Sequence, residues 1–226
     1  MAARIAFFDV DHTLTRRSTG YRFAVEATRR GILSPGILAS MPFHYIAYRL
    51  GRPAAALLEG GHDALAGLRR EELEEAARAA FDSRIEADLF PDALDLVASL
   101  KAEGERVYLA TSSFDFVVRP LAARLGVDGI VASRLEFRDG LSTGRFEGRP
   151  AFGQAKLELA RAAAGAAGVV LADCSFYSDS VNDLPLLLAV GSPVAVNADL
   201  RLAREARRRG WRRISWRLPC RRRGRR

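Results

Sequence analysis

Two aspartates at i and i+2, Asp9 and Asp11, end the apolar run Ile5, Ala6, Phe7, Phe8, and Thr13 follows two residues later. Carboxylates this close repel each other unless a cation or a shared proton intervenes. The stretch therefore suits a metal ion, acid–base chemistry, or both. The same residue types also build ordinary turns and helix caps, and on these residues alone both readings stand. Three further clusters carry chemistry. Thr111, Ser112 and Ser113 follow the apolar stretch 106–110 and precede a helical pattern. Hydroxyls there, with the unpaired N–H groups of a helix start, make either an anion site or a plain N-cap. Lys156 is one of only two lysines, with Lys101, in a chain that otherwise uses arginine. It is either a surface cation or a place that needs a compact ammonium instead of a planar fork. Asp179 and Asp183 flank Asn182 after the apolar stretch 174–178. They are either the acidic first turn of a helix or further carboxylates of one site.

The elements that must carry these residues read as an α/β alternation. Short apolar runs bounded by turn residues are strands: the opening run, then 106–110, 129–132, 174–178 and 193–196, with a short edge strand within 211–216. Helical patterns occupy 93–103, 114–125, 152–166, a segment from Leu184, and 199–209. Residues 135–138 and 141–146, joined by Asp139 and Gly140, form a hairpin. Strands alternating with helices predict a parallel sheet covered by helices on both faces, with ligands at the carboxyl ends of the strands. All four chemical clusters fall at such ends or on an intervening helix. Residues 16–88 break the alternation. They read as helices over 21–30, from Ser34 and Pro35 to about 50, around Leu57 and Leu58, and over 70–80, without a convincing strand. The expected organisation is a core of 1–15 and 89–218, a helical insert of 16–88, and a basic, disordered tail of 219–226.

The net charge of +8 over 226 residues is concentrated at one end. Residues 199–226 hold thirteen arginines and two acids, a net +11, which leaves −3 on residues 1–198. A mildly acidic body argues against nucleic acid as the partner, because that reading needs a basic face on the folded domain. No run of 18 apolar residues suggests a membrane span. Two cysteines, Cys174 and Cys220, give neither a disulfide framework nor a zinc spacing. The chain enters its first strand without a signal-peptide pattern, so a cytoplasmic protein is expected.

Taken in order, carboxylates, hydroxyls with backbone donors, an ammonium and more carboxylates resemble the haloacid dehalogenase superfamily of phosphohydrolases. Asp9-Val10-Asp11-His12-Thr13 matches its first motif, Asp-x-Asp-x-Thr. Thr111, Lys156, and Asp179 with Asp183 match the second, third and fourth. The likeness runs from Ile5 to about Val196. The resemblance implies a Rossmann-like parallel sheet, and the insert after motif one looks like that superfamily's C1-type cap. The wording from Tyr177 to Pro185 is similar to subfamily IB, relatives of phosphoserine phosphatase.

The resemblance implies that Asp9 attacks the phosphorus of a phosphomonoester and becomes an aspartyl phosphate. Asp11 would protonate the leaving oxygen and then deprotonate the water that releases phosphate. Mg²⁺ would be held by carboxylate oxygens of Asp9 and Asp179 and the main-chain carbonyl of Asp11. Asn182 and Asp183 would stand just behind, with Asp183 orienting a metal-bound water or Lys156. Thr111 and the amides of Ser112 and Ser113 would hold phosphoryl oxygens, and Lys156 would neutralise nucleophile and phosphoryl group together.

The substrate would be a small phosphorylated metabolite, chosen by the insert. Phosphoserine phosphatases usually carry a Glu shortly after motif one, and Arg16, Arg17, Ser18 and Thr19 supply no acid. Arg16, Arg17 and Arg52 would suit a more anionic substrate or simply face solvent. Tyr21, Phe23, Phe43 and Tyr45 read as the core of the insert. Strand alternation would point His12 away from the acids, so it receives no catalytic role. The same motifs also serve phosphomutases and phosphotransferases. A non-catalytic protein that binds anions through its basic tail is a further alternative.

Overall fold

Four consecutive apolar residues can be covered on both faces only in the middle of a sheet, and there β1 (Ile5–Phe8) lies, buried throughout. The computed structural model describes residues 4–39, 41 and 65–216. After β1 come α1 (Thr19–Arg29) and α2 (Arg70–Ala80), then one π-helical turn (Phe81–Ile85) and one 3-10 turn (Glu86–Asp88). The α/β alternation follows: α3 (Pro91–Ala102), β2 (Arg106–Phe114), α4 (Asp115–Leu125) and β3 (Gly129–Ser133). A hairpin of β4 (Leu135–Arg138) and β5 (Leu141–Phe146) precedes α5 (Gln154–Ala166) and β6 (Ser175–Ser178). The chain closes with α6 (Leu184–Ala189), β7 (Ser192–Val196), α7 (Leu200–Arg209) and β8 (Arg212–Ile214).

Six strands form one parallel sheet in the order β3-β2-β1-β6-β7-β8. The order reverses at β1: β2 and β3 build outward on one side, and β6, β7 and β8 on the other. Such a reversal opens a crevice at the carboxyl end of the central strand, because the two connections leave on opposite faces. Helices α5, α6 and α7 cover one face, packing Leu157, Ala160, Leu186, Leu187 and Leu202 on Phe7 and Phe176. On the other face α3 and α4 bury Val97, Phe116, Val117 and Leu121 against Phe8 and Leu109. Phe8 stacks on Tyr177 of β6 with ring centroids 4.3 Å apart, which locks β1 to its neighbour.

Phe23 of α1 and Leu73 of α2 belong to the same apolar cluster as Phe116 of α4. Helices α1 and α2 are thus packed directly on the sheet's own helices. The two passages that join the segment between β1 and α3 to the sheet lie side by side. Thr15 and Leu89 pair as an antiparallel bridge, Phe90 N–H donates to the Leu14 carbonyl at 3.0 Å, and Arg16 N–H to the Asp88 carbonyl at 2.7 Å. The hairpin is joined to the chain entering α2, since Gly67 N–H donates to the Ser142 carbonyl and Ser142 N–H to that of Leu68.

Three readings of the sequence change. The strand expected over 106–110 runs on to Phe114, so Thr111, Ser112 and Ser113 do not open a helix. The partners of Ala110 and Phe114 on β3 are Val131 and Ser133, so β2 carries two extra residues there. The β2–β3 pairing resumes after this bulge and keeps the segment extended, and bulges of this kind re-aim side chains beside functional sites. The chain past Phe8 is a turn, not strand. The N–H groups of Thr13, Leu14 and Thr15 all point to the Val10 carbonyl, and His12 has φ +63°. Strand alternation therefore says nothing about His12. Helical structure also continues past 80 into the π and 3-10 turns, as the return to Leu89 requires. The helix expected from Ser34 begins at Pro35 and is described to residue 39. Phe43, Tyr45, Arg52, Leu57, Leu58, Cys220 and the tail 219–226 lie outside the described residues. Among the described residues no helix is long and apolar enough to cross a membrane.

Candidate active site

The reversal at β1 brings three strand ends together. Asp9 follows β1 directly, its N–H donating to the Tyr177 carbonyl at 2.9 Å. Asp179 follows β6, and Thr111 lies on the bulge of β2. Asp9, Thr111, Asp179 and Asp183 are all buried. Lys156 projects from the first turn of α5 and is 1% exposed. A cation in a helix's first turn opposes the helix dipole, so a tertiary partner must hold it there. Two do: its Nζ lies 3.1 Å from Asp9 Oδ1 and 2.6 Å from Asp183 Oδ1. Ser178 Oγ donates to Asp183 Oδ2 at 2.7 Å, fixing that carboxylate from behind. Asp183 is therefore placed to orient the lysine. Asn182 sits one residue before it, its N–H donating to Ser180 Oγ.

Burial pushes the Asp9 carboxyl well above the usual carboxylate range. Lys156 opposes that shift, and Asp183, Asp179 and Asp11 add to it. Asp9 thus feels three further acids and one ammonium. Asp11 turns its side chain to the start of α1 instead. Its Oδ1 accepts from Thr19 N–H at 2.8 Å and Thr19 Oγ at 2.7 Å, and its Oδ2 from Ser18 Oγ at 3.0 Å. Thr19 Oγ also lies 3.1 Å from Ser113 Oγ, so the bulge, α1 and Asp11 share one hydrogen-bonded chain. Within the bulge, Ser113 N–H donates to Thr111 Oγ at 3.1 Å, and Ser133 Oγ donates to the Ser112 carbonyl at 2.9 Å.

The acid excess bears on a metal. Among the described residues, no three His, Cys, Asp or Glu side chains close around a point as a metal cage. Mg²⁺ does not require one, since it binds through one or two carboxylates and completes its octahedron with water and substrate phosphate. Asp9, Asp179 and the Asp11 carbonyl fit that demand chemically, and a divalent cation would offset the repulsion from neighbouring acids that adds to the effect of burial on the Asp9 carboxyl.

Sequence reasoning missed Ser178, Ser133, Ser18 and Thr19. The first two carry no signal beyond standing at strand ends. The pair Ser18-Thr19 reads as a helix start, and Ser18 does cap α1, but its bond to Asp11 depends on where that helix docks. Arg16, considered for substrate, instead donates to the Ala87 carbonyl and pairs with Asp88 at 3.3 Å, while Arg22 grips Asp88 at 2.7 Å. Arg17 is exposed.

A family model of the haloacid dehalogenase-like hydrolases matches residues 6–188. The chain belongs to that family. Among curated relatives of this hydrolase, the histidinol-phosphatase of Neisseria meningitidis serogroup C is 30% identical over 213 residues, 92% of this chain and 96% of that one. Phosphoserine phosphatase SerB1 of Mycobacterium tuberculosis is 33% identical over 224 residues, 91% of this chain and 68% of that one. A crystal structure of a protein of unknown function from Bordetella pertussis is 34% identical, with a TM-score of 0.84 over 95% of this chain and 99% of that one. A substrate-bound phosphoserine phosphatase is 25% identical, with a TM-score of 0.72 over 95% and 93%. The hydrolase is thus an enzyme of the phosphatase kind, with the α/β fold of phosphoserine phosphatases.

Proposed function

We propose that this hydrolase is a Mg²⁺-dependent phosphatase that cleaves a small phosphomonoester through an aspartyl phosphate on Asp9. The observation that carries the reading is the buried Asp9 carboxylate at the reversal of the sheet, met at 3.1 Å by a lysine that Asp183 anchors. Asp9 attacks phosphorus, the bond to the ester oxygen breaks, and Asp11 gives that oxygen its proton. Asp11 then takes a proton from water, which attacks the same phosphorus and frees phosphate and Asp9. Lys156 lowers the negative charge that gathers on Asp9 and the phosphoryl oxygens, the main lever in phosphoryl transfer. Thr111 and the bulge formed with Ser112 and Ser113 would receive those oxygens. Mg²⁺, when bound by Asp9, Asp179 and the Asp11 carbonyl, supplies further charge neutralisation. Asn182 and Asp183 support this set from behind.

Residues 16–88 would act as the cap over this centre and choose the substrate, leaving 1–15 with 89–218 as the catalytic core, in a cytoplasmic enzyme. Relatives are named for phosphoserine and for histidinol phosphate. Phosphoserine is not favoured here, because Ser18 and Thr19 place hydroxyls, committed to Asp11, where an acid would be wanted. The test is release of inorganic phosphate from a panel of phosphorylated metabolites and a generic aryl phosphate, with Mg²⁺ and with chelator. Steady Mg²⁺-dependent release is expected. Turnover only when a sugar acceptor is added would mark a phosphotransferase and overturn the assignment.

A further inference from the structure

Two turns carry the acids of the site: the loop after β1 with Asp9 and Asp11, and the loop after β6 with Asp179. One short segment, residues 197–199 after β7, holds both. Asn197 Nδ2 donates to the His12 carbonyl at 3.2 Å. Asp199 N–H donates to the Asp179 carbonyl at 2.8 Å, and Asp199 Oδ2 accepts from Val181 N–H at 3.0 Å. Trp216 completes the arrangement. Its N–H donates to Asn197 Oδ1 at 3.0 Å, and its Nε1 donates to the Thr13 carbonyl at 2.7 Å. Pairing of β8 with β7, Ile214 opposite Val196, brings Trp216 to that position.

These bonds all meet main-chain groups of the two loops, or tie the bracket to itself. Asn197 has φ +46°, a conformation that Asn accepts more readily than most residues. Asp199 also caps α7, its Oδ1 accepting from the N–H groups of Arg201 and Leu202, so the helix fixes the side chain that reaches Val181. Supports of this kind orient metal ligands without touching the metal, and their loss typically lowers affinity or activity by about 10–100-fold.

We propose that residues 197–199 and Trp216 form a bracket that sets the separation of the Asp9 and Asp179 loops, and thereby the affinity for the divalent cation those carboxylates share. Asn197, Asp199 and Trp216 are positioning residues, and the inference rests on Asp9 and Asp179 being the metal ligands of the proposed phosphatase.

Two variants isolate the effect. Trp216→Phe keeps an aromatic ring and removes the donor to Thr13. Asn197→Gly keeps the left-handed backbone and removes both side-chain bonds. The readout is the Mg²⁺ concentration that gives half the maximal rise in thermal midpoint of the full chain, with no substrate present. The Mg²⁺ dependence of aryl phosphate hydrolysis is followed in parallel, well below every midpoint. Half-saturating Mg²⁺ is expected to rise about tenfold in each variant, while KM for the ester at saturating Mg²⁺ stays within about twofold. Half-saturating Mg²⁺ unchanged in both variants of a Mg²⁺-responsive wild type overturns the bracket alone, even if the midpoints fall. A wild type that shows neither a Mg²⁺-induced shift nor Mg²⁺-dependent hydrolysis overturns the functional reading and the bracket with it.

Discussion

Asp9 is under opposing pressures: burial and three acids hold its proton on, and Lys156 alone pulls it off. In metal-free protein the folded state therefore binds that proton more tightly than the unfolded state does. Stability is expected to fall as pH rises from about 4, where an unfolded aspartate titrates, through the raised value in the fold. Asp9→Asn removes that slope, so thermal melts in chelator are expected to be flatter with pH and to show a higher midpoint at neutral pH. The same variant should lose activity by on the order of 10³-fold or more, since no nucleophile remains. A variant with wild-type turnover would sink the nucleophile assignment. Lys156→Arg tests the partner. The charge survives, but a planar guanidinium cannot reach Asp9 and Asp183 from the same enclosed position, and kcat on a generic ester should fall on the order of 10²-fold.

At the scale of elements, the bulge of β2 and the docking of α1 matter most. The bulge withdraws Thr111, Ser112 and Ser113 from the regular ladder, and the start of α1 gives Asp11 its partners. The position of α1 depends on how the chain leaves and re-enters the sheet, and there Asp88 is the keystone. It is buried, with Arg22 bonded through Nε at 2.8 Å and Arg16 on the other oxygen. Asp88→Ala would leave the largely enclosed Arg22 guanidinium without its partner. That loss is expected to lower stability by about 3 kcal/mol, measured by urea unfolding. Little change in the unfolding midpoint would show that the pair is not what closes the insert onto the core.

For the whole molecule, charge and chemistry are separated. The acids of the site lie at the reversal of the sheet. Exposed arginines line α7 and β8 at the sheet's far edge, and six more follow Trp216 in the sequence. Removing residues 217–226 spares Asp9, Asp11, Thr111, Lys156, Asp179, Asp183 and the bracket that ends at Trp216. kcat and KM on a generic ester are expected to stay within about twofold. A large loss would revive the alternative in which the basic tail serves function.

The alternation of apolar runs with helical patterns was enough to identify the strands and helices of the sheet along the chain, because burial imposes its own pattern on each strand and helix; the order of the strands in the sheet came only from the fold. The motif residues were legible for a related reason: Asp9, Asp11, Lys156, Asp179 and Asp183 are chemical types that local structure alone seldom demands together. What Lys156 touches, and that Asp183 faces it, required the fold, since these contacts join residues far apart in the chain. The bulge at Thr111 was hidden because local sequence favours a helix start there, and only β3, by resuming its pairing at Ser133, keeps the strand extended to Phe114. Ser18, Thr19, Asn197 and Trp216 look like caps, turns and an edge strand when read singly. The tertiary structure decided that they hold the loops around Asp9, because a hydrogen bond between distant segments depends on where whole elements dock and leaves no periodic trace in the sequence.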